Sequence, residues 1–485
     1  MHIHTRWIAP AFFSIVVSLC QLSCKKLVSV PEPVNSITTT EVFATDAQAA
    51  SAMAGVYSLM INSSLSSSNG QVTLLGGMSS DELFYYGIGD VDITSFSPNK
   101  LLYNNSYTYN LWTTAYQVIY NANSVIEGIA ASTSGGLTDS VRKELTAESK
   151  FVRAFCYFYL TNLFGDVPLA LTVDFNKTRY MARTPVKQVY QQIIQDLKDA
   201  QSVLPLDYSA AGAAQERIVP NHWAATALLA RAYLFTGDNA DAAAQAGTVI
   251  SNTALYSLVS DPNQVFLADS KEAIWQLKQG GVWPLYNGTQ EGYTILPNPL
   301  ATGTTNYCLA APLLNAFEPG DLRRQDWVDS TTASGVPSVY NYYPYKYKIG
   351  SSNAVSGGPL SEYYMMLRLA EMYLIRAEAE VGGATGGAAA AIADLNVLRT
   401  RAGLPGLSSS LLPAQVTAAV AHERQVELFA EWGHRWLDLN RTGQAHNVLS
   451  VISTKQPWTG DFQLLYPIPS TEIMDDHFLL QNPGY

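Results

Sequence analysis

The 485-residue sequence predicts a mainly α fold assembled from stacked helix pairs, and two observations carry that prediction. The segment Glu362 to Gly403 reads as helix, Gly-rich turn and helix, and the same pattern occurs earlier at Ala224 to Ile250. In the later copy Leu367, Ala370, Leu374 and Ala377 recur at the spacing of one helix face, while Arg368, Glu371 and Glu378 form a polar edge. The run Gly382, Gly383, Ala384, Thr385, Gly386, Gly387 breaks this helix. Ala388, Ala391, Leu395 and Leu398 then build a second stripe that closes at Arg399, Arg401 and Gly403. The copies align, with Leu229, Ala230, Arg231 against Leu369, Ala370, Glu371 and with Tyr233 against Tyr373. Small residues at crossing points and one large Tyr per pair fit hairpins of the tetratricopeptide type, each burying its face on the next.

The first residues read as an export signal. Arg6 precedes an apolar run from Ala11 to Leu19, well short of the roughly 20 residues a membrane-spanning helix needs. A small residue, Ser23, then stands directly before Cys24, which is the arrangement of a lipoprotein processing site, so Cys24 is the expected lipidated anchor. Gln21 departs from the usual Leu at its position. Several buried acyl chains, at about 0.8 kcal/mol per methylene, hold a domain on a membrane durably. Formal charge is -11, and no basic cluster exists beyond Lys25 and Lys26, so nucleic acid is excluded as a partner. Charged residues at 14% against 28 Tyr and 9 Trp describe a surface suited to neutral ligands. With Cys20 cleaved away and Cys24 lipidated, Cys156 and Cys308 are left to pair in an oxidising periplasm or to stay free, and the place of Cys156 within an apolar helix favours two free buried thiols.

Along the chain, residues 1–23 are the signal peptide and 24–40 a Pro- and Ser/Thr-containing tether; 41–253 form a first helical region, 254–360 a loop-rich region and 361–485 a second helical region. Phe43 to Met60 carries Ala49, Ala50, Met53, Ala54 and Tyr57 at helical spacing, with Thr38, Thr39 or Thr40 as the expected cap. Ile61 to Asn110 reads as a long irregular stretch rich in Ser, Gly, Asn and Tyr, a composition that argues for function over disorder. Helices follow around Trp112 to Ile126, at Ser140 to Phe164 and at Pro185 to Leu204. Residues 254–360 read as aromatic loops and short strands, Pro413 to Leu439 as one long helix with Glu423, Arg424, Glu427, Glu431 and Arg435, and the tail to Tyr485 as a docked extended segment.

Taken in order, several of these segments resemble the SusD/RagB family of outer-membrane lipoproteins from Bacteroidetes. The resemblance spans the chain and rests on Cys24; on Trp112, Tyr116, Ile119 and Asn123; and on Phe151, Arg153, Ala154, Tyr157 and Phe158 with Gly165, Asp166, Val167 and Pro168. It continues through Arg368 to Glu378, through Asn396, Arg399, Arg401 and Gly403, through Glu423, Arg424, Glu427 and Arg435, and ends with Gln481 to Tyr485. The family fold implied is a right-handed α-superhelix with tetratricopeptide-like helix pairs, long irregular loops and a few short strands. The implied function is a cell-surface nutrient-binding protein, capturing a glycan or in some relatives a peptide, that acts as lid of a SusC-like TonB-dependent transporter. The implied location is the outer membrane, held by the lipid anchor and facing the exterior. Lys25 and Lys26 stand where many surface-exported lipoproteins of this phylum carry acidic residues.

Neutral sugars stack on Tyr and Trp faces while their hydroxyls meet a few polar groups. On that ground the expected ligand residues are Asp81, Tyr85, Tyr86, Asn105, Trp283, Tyr286 and Tyr293, all in the long loops and off the helix stripes. The rival readings are a protein-binding tetratricopeptide scaffold and, least favoured, a glycoside hydrolase. A hydrolase needs two carboxylates across a cleft, whereas Glu427 and Glu431, one turn apart beside Arg424 and Arg435, read as an ion-pair network. No catalytic residues are assigned. His422, His434 and His446 lack metal-ligand spacing, no cofactor is expected, and a structural calcium ion is not indicated by the sequence.

Overall fold

The computed structural model describes residues 39–485 apart from 63, 269, 299–304 and 334–335. The expected signal peptide, Cys24 and all but the last two residues of the tether lie outside the described residues. The remainder is mainly helical. Ser106–Ala131 packs on Asp139–Phe164, which packs on Val186–Val203, which packs on His222–Thr236. The two expected repeats then meet: Asn239–Ser251 lies against Leu369–Val381, and Gly387–Arg401 and Pro413–Glu427 complete the stack. The chain therefore leaves the superhelix after Ser251 and re-enters it at Leu369. The aligned positions Arg231 and Glu371 face each other across the repeat boundary as a buried bidentate pair, both contacts 2.6 Å, with Arg231 also donating to the Tyr159 hydroxyl at 2.9 Å.

Four of the expected segments change. The first long helix is Asp46–Asn62, and its cap is Thr45, whose hydroxyl accepts the Gln48 N–H at 3.3 Å, not one of Thr38 to Thr40. The stretch Ile61 to Asn110 is not irregular throughout: it holds the helix Gln71–Ser79, all nine residues buried. This helix has no polar face, so periodicity leaves no trace of it. Its Gly76 lets another backbone approach, since a Cβ there would lie 2.8 Å from the Gly433 Cα. Glu362 to Arg368 is not helical either. Tyr364–Arg368 is a strand buried on both faces and paired antiparallel with Ala273–Leu277, whose Trp275 ring sits 4.9 Å from Phe151 and 5.3 Å from Phe155. Two further antiparallel pairs join Leu83–Tyr85 to Tyr307–Leu309 and Val328–Ala333 to Val336–Pro344.

Pro413 to Leu439 is two helices, Pro413–Glu427 and His434–Arg441, and the break between them organises the core. Ala430, Trp432 and Gly433 take φ of 49°, 50° and 64°, a left-handed course that is costly for Ala and Trp. It turns Glu431 and Trp432 inward. The expected ion-pair network exists, but its partners differ because the helix ends before Glu431. Glu427 meets Arg323 at 3.1 Å, Arg368 at 2.6 Å and Arg401 at 2.5 Å, and Glu431 meets Arg368 at 2.7 Å and Lys346 at 2.5 Å. Arg424 instead pairs with Asp438 at 2.6 Å, and Arg435 with Asp81 at 2.8 Å. Burial works to raise the Glu427 carboxyl, but Arg401, Arg368 and Arg323 overcome it and hold the group well below the usual carboxylate range. Cys156 and Cys308 are free and buried.

Removing one member of a buried, hydrogen-bonded ion pair leaves an uncompensated charge and costs about 3–5 kcal/mol, whereas an exposed pair is worth about 0–1 kcal/mol. Glu427→Ala is expected to lower the free energy of unfolding in urea by about 3–5 kcal/mol. Asp199→Ala, which breaks the solvent-facing Lys150 pair, should change it by about 1 kcal/mol or less. Equal losses would remove the network from its central place.

Candidate ligand-binding site

Two groups of loops bear the expected ligand residues. In the first, the strand Leu83–Tyr85 is fixed by its pairing with Tyr307–Leu309, and the Tyr86 N–H extends that ladder to the Asn306 carbonyl at 2.7 Å. The Tyr85 ring stands edge-on to Tyr307 with centroids 5.2 Å apart. Gly87 folds the chain back over this ring, where a Cβ would lie 2.5 Å from it. Asp90 then caps the short helix Val91–Thr94 through the N–H groups of Asp92 and Ile93, and its other oxygen accepts the Tyr107 hydroxyl at 2.7 Å. The outcome is a cluster of Tyr85, Tyr107, Tyr307 and Asp90, with Tyr86 and Ile88 exposed on the adjoining loop. Tyr107, Tyr307 and Asp90 were not among the expected site residues. The only signal in the sequence was aromatic density, which does not say which rings share a wall.

Asp81 and Asn105 do not face solvent. Asp81 is 5% exposed, with both carboxylate oxygens on Arg435 at 2.8 and 2.9 Å. Asn105, 1% exposed, caps Ser106–Ala131 by accepting the N–H groups of Tyr107 and Thr108, and its amide donates to the Asp92 carbonyl and the Ser95 hydroxyl. Both side chains spend their polar atoms on the frame. Next to Asp81, Glu82 is buried, and burial together with the Asp81 charge pushes its carboxyl up to about 8 against the opposing pull of Arg435.

The second group is the loop 280–289. Its base is pinned: the Gly280 N–H donates to the Asn62 side chain at 3.1 Å, and the Asn287 side chain bridges the Val355 N–H at 2.7 Å and the Pro359 carbonyl at 3.3 Å. At the tip Trp283 is 76% exposed, and Tyr286, half-buried, holds a φ of 49° while its N–H reaches the Val282 carbonyl at 2.8 Å. A bulky residue at such a φ is strained, and strain of this kind gathers at functional loops. Tyr293 is half-buried on the short helix Gln290–Ile295, capped by Thr289. The Thr305 hydroxyl ties that helix to the first group, donating to the Ile295 carbonyl at 2.5 Å while accepting the Tyr307 N–H at 3.1 Å. Five of the seven expected residues thus belong to two loop groups with solvent-facing rings, and two belong to the frame. Among the described residues no cluster of His, Cys, Asp or Glu has the arrangement of a metal site, and no helix is long and apolar enough to cross a membrane.

Comparison with known proteins agrees with this architecture. The family model SusD-like, described as starch-binding associating with outer membrane, matches residues 38–234, and the SusD family model matches residues 320–485. The chain is 28% identical to SusD-like protein P2 of Formosa agariphila over 424 residues, 79% of this chain and 81% of that protein. Among solved structures, a SusD superfamily protein from Bacteroides vulgatus superposes with a TM-score of 0.79 at 20% identity, covering 91% of this chain and 100% of that one. A laminarin-binding SusD-like protein superposes with a TM-score of 0.74 at 25% identity, with the same coverage.

The raised Glu82 carboxyl makes stability depend on pH. Between the ordinary value near 4.3 and about 8, the folded chain keeps a proton that the unfolded chain releases. Stability from this group is therefore complete at low pH and is lost as pH rises through that window, by at most about 1.4 kcal/mol per pH unit. Glu82→Gln is expected to flatten this decline, raising the urea midpoint at pH 8 relative to wild type far more than at pH 5. A parallel shift at both pH values would contradict the assignment.

Proposed function

The chain belongs to the SusD/RagB family, and from that premise we propose that it is an outer-membrane lipoprotein that captures an oligosaccharide on its loop face and serves as lid for a SusC-like TonB-dependent transporter. The observation that carries the capture reading is the pair of aromatic loops. Trp283 is held in solvent on a pinned loop beside a strained Tyr286, and Tyr86 is exposed on the other loop next to the packed Tyr85, Tyr107 and Tyr307. Exposing such rings wastes about 25 cal/mol per Å² of apolar surface, and a sugar ring that stacks on them recovers part of it. The low charge content suits a neutral ligand, and laminarin binding by a 25% identical protein of the same fold favours a glycan over a peptide.

Membrane attachment in this reading rests on Cys24, and the association with the outer membrane is supported by the description of the family matched by residues 38–234. The carboxylates Glu427 and Glu431 are fully taken up by cations in the core, which speaks for binding without turnover.

Replacing Trp283 and Tyr286 together by Ala is expected to abolish measurable binding in a calorimetric screen of polysaccharides, oligosaccharides and peptides, with the helical circular dichroism unchanged. Retained affinity would refute the loop face as the ligand site, and release of product from any glycan would return the enzyme reading. Cys24→Ala is expected to move the protein from the membrane pellet to the soluble fraction after export; membrane retention in cells lacking the transporter would refute the anchor.

A further inference from the structure

A cavity of about 350 Å³ lies between helix Ser106–Ala131, the segment after Val167 and the C-terminal segment around Glu472, and none of Tyr85, Tyr86, Trp283, Tyr286 and Tyr293 lines it. Its volume is within the roughly 300–1,000 Å³ of small-ligand sites. One wall is a ring ladder: Trp112, Tyr116 and Tyr120 recur every four residues on one helix face, a strip about 12 Å long at 1.5 Å per residue. The first two rings are fixed. Trp112 and Tyr116 have centroids 5.0 Å apart, the Trp112 indole N–H donates to Glu472 at 3.2 Å, and the Tyr116 hydroxyl donates to the Pro168 carbonyl at 2.7 Å. Tyr120 ends the ladder 56% exposed, with no core to fill.

Most of the rest of the lining is polar. Glu472 is half-buried, and burial raises its carboxyl, the Trp112 N–H offsetting this and the Asp475 charge adding to it. Asp475 is exposed beside it, and Arg179 also lines the cavity, its guanidinium over the Tyr180 ring at 5.1 Å. Carboxylates beside an aromatic strip, with one guanidinium in the lining, accept hydroxyl hydrogens from the edge of a sugar ring whose C–H face stacks on the exposed Tyr120 end of the ladder. More carboxylates than cations line the cavity, so an anionic ligand is disfavoured. We propose that this cavity is a second saccharide site, taking a neutral disaccharide-sized unit independently of the loop face. The proposal rests on the glycan-binding reading for its ligand class.

The test is saturation-transfer NMR on the Cys24→Ala protein with laminaribiose, cellobiose, maltose, mannobiose and chitobiose, and with trilysine as a cationic probe. It compares three forms: unaltered, Trp283→Ala with Tyr286→Ala, and Tyr120→Ala with Asp475→Asn. The expected result is transfer to at least one disaccharide that survives in the loop variant and is lost in the cavity variant, folding being checked by circular dichroism. Transfer lost in the loop variant and kept in the cavity variant would overturn the second site and leave the loop-face reading standing. Transfer lost only in the cavity variant, with polysaccharide binding also unaffected by the loop changes, would uphold the cavity and overturn the loop face. Transfer to trilysine alone, or to no probe, would overturn the second site.

Discussion

The fold turns on Glu427 and Glu431, two carboxylates placed on either side of a helix break and shared among four cations from separate segments. Arg323 and Lys346 come from the long excursion between repeats, Arg368 from the end of a strand and Arg401 from the last repeat helix, and a further carboxylate, Glu272, 2.7 Å from Arg401, stands just before the partner strand. None of these elements could bury its charge alone, because a lone ion in a dry interior costs several kcal/mol. Together they neutralise one another, and only when all are in register. The left-handed backbone at Ala430 and Trp432 is the local cost of this arrangement. It is offset where Trp432 lands, between Phe155, Tyr159 and Tyr364, with its N–H on Thr73 and its indole on the Met365 carbonyl.

That junction explains how a stack of helix pairs tolerates an insertion of more than a hundred residues. The superhelix is continuous across the gap because Asn239–Ser251 packs directly on Leu369–Val381 and Arg231 reaches Glu371. The excursion is stitched back at its base by the Ala273–Leu277 and Tyr364–Arg368 strands and by the ion network. With its base so secured, its tips are free of structural duty. This is why Trp283 can stand in solvent, and why polar loop residues nearer the base, such as Asn287, are consumed by backbone contacts.

The same division of labour separates the loop residues chosen from sequence. Asp81 and Asn105 sit where loops enter the frame, and their charge and amide are spent on Arg435 and on a helix N-terminus. Tyr86, Trp283 and Tyr286 lie farther along, where no helix end demands a partner, and Tyr85 and Tyr293 stay partly open to solvent on a short strand and a short helix. A loop location in sequence does not distinguish root from tip, since both carry the same Ser, Gly, Asn and Tyr composition. The distinction is a matter of burial, and burial of a loop root is decided by what packs over it.

By itself the sequence determined the helix pairs and their stacking, because amphipathic spacing and Gly-bounded turns are local signals that each helix carries within itself. It also determined that Arg231 and Glu371 occupy equivalent positions, which is why they could be aligned before they were seen to touch. Only the tertiary structure decided the rest. The helix Gln71–Ser79 is buried on every side and so has no period to read, the strand Tyr364–Arg368 mimics a helix stripe, and the break after Glu427 is imposed by distant cations and by the close approach of Gly76 to Gly433. The ring ladder of Trp112, Tyr116 and Tyr120 lies between these cases: its spacing is written in one helix, but that it lines a cavity depends on the C-terminal segment that comes to rest beside it. Long-range pairing of charge and backbone has no signature at either end alone, and in this chain it governs which side chains are left facing solvent.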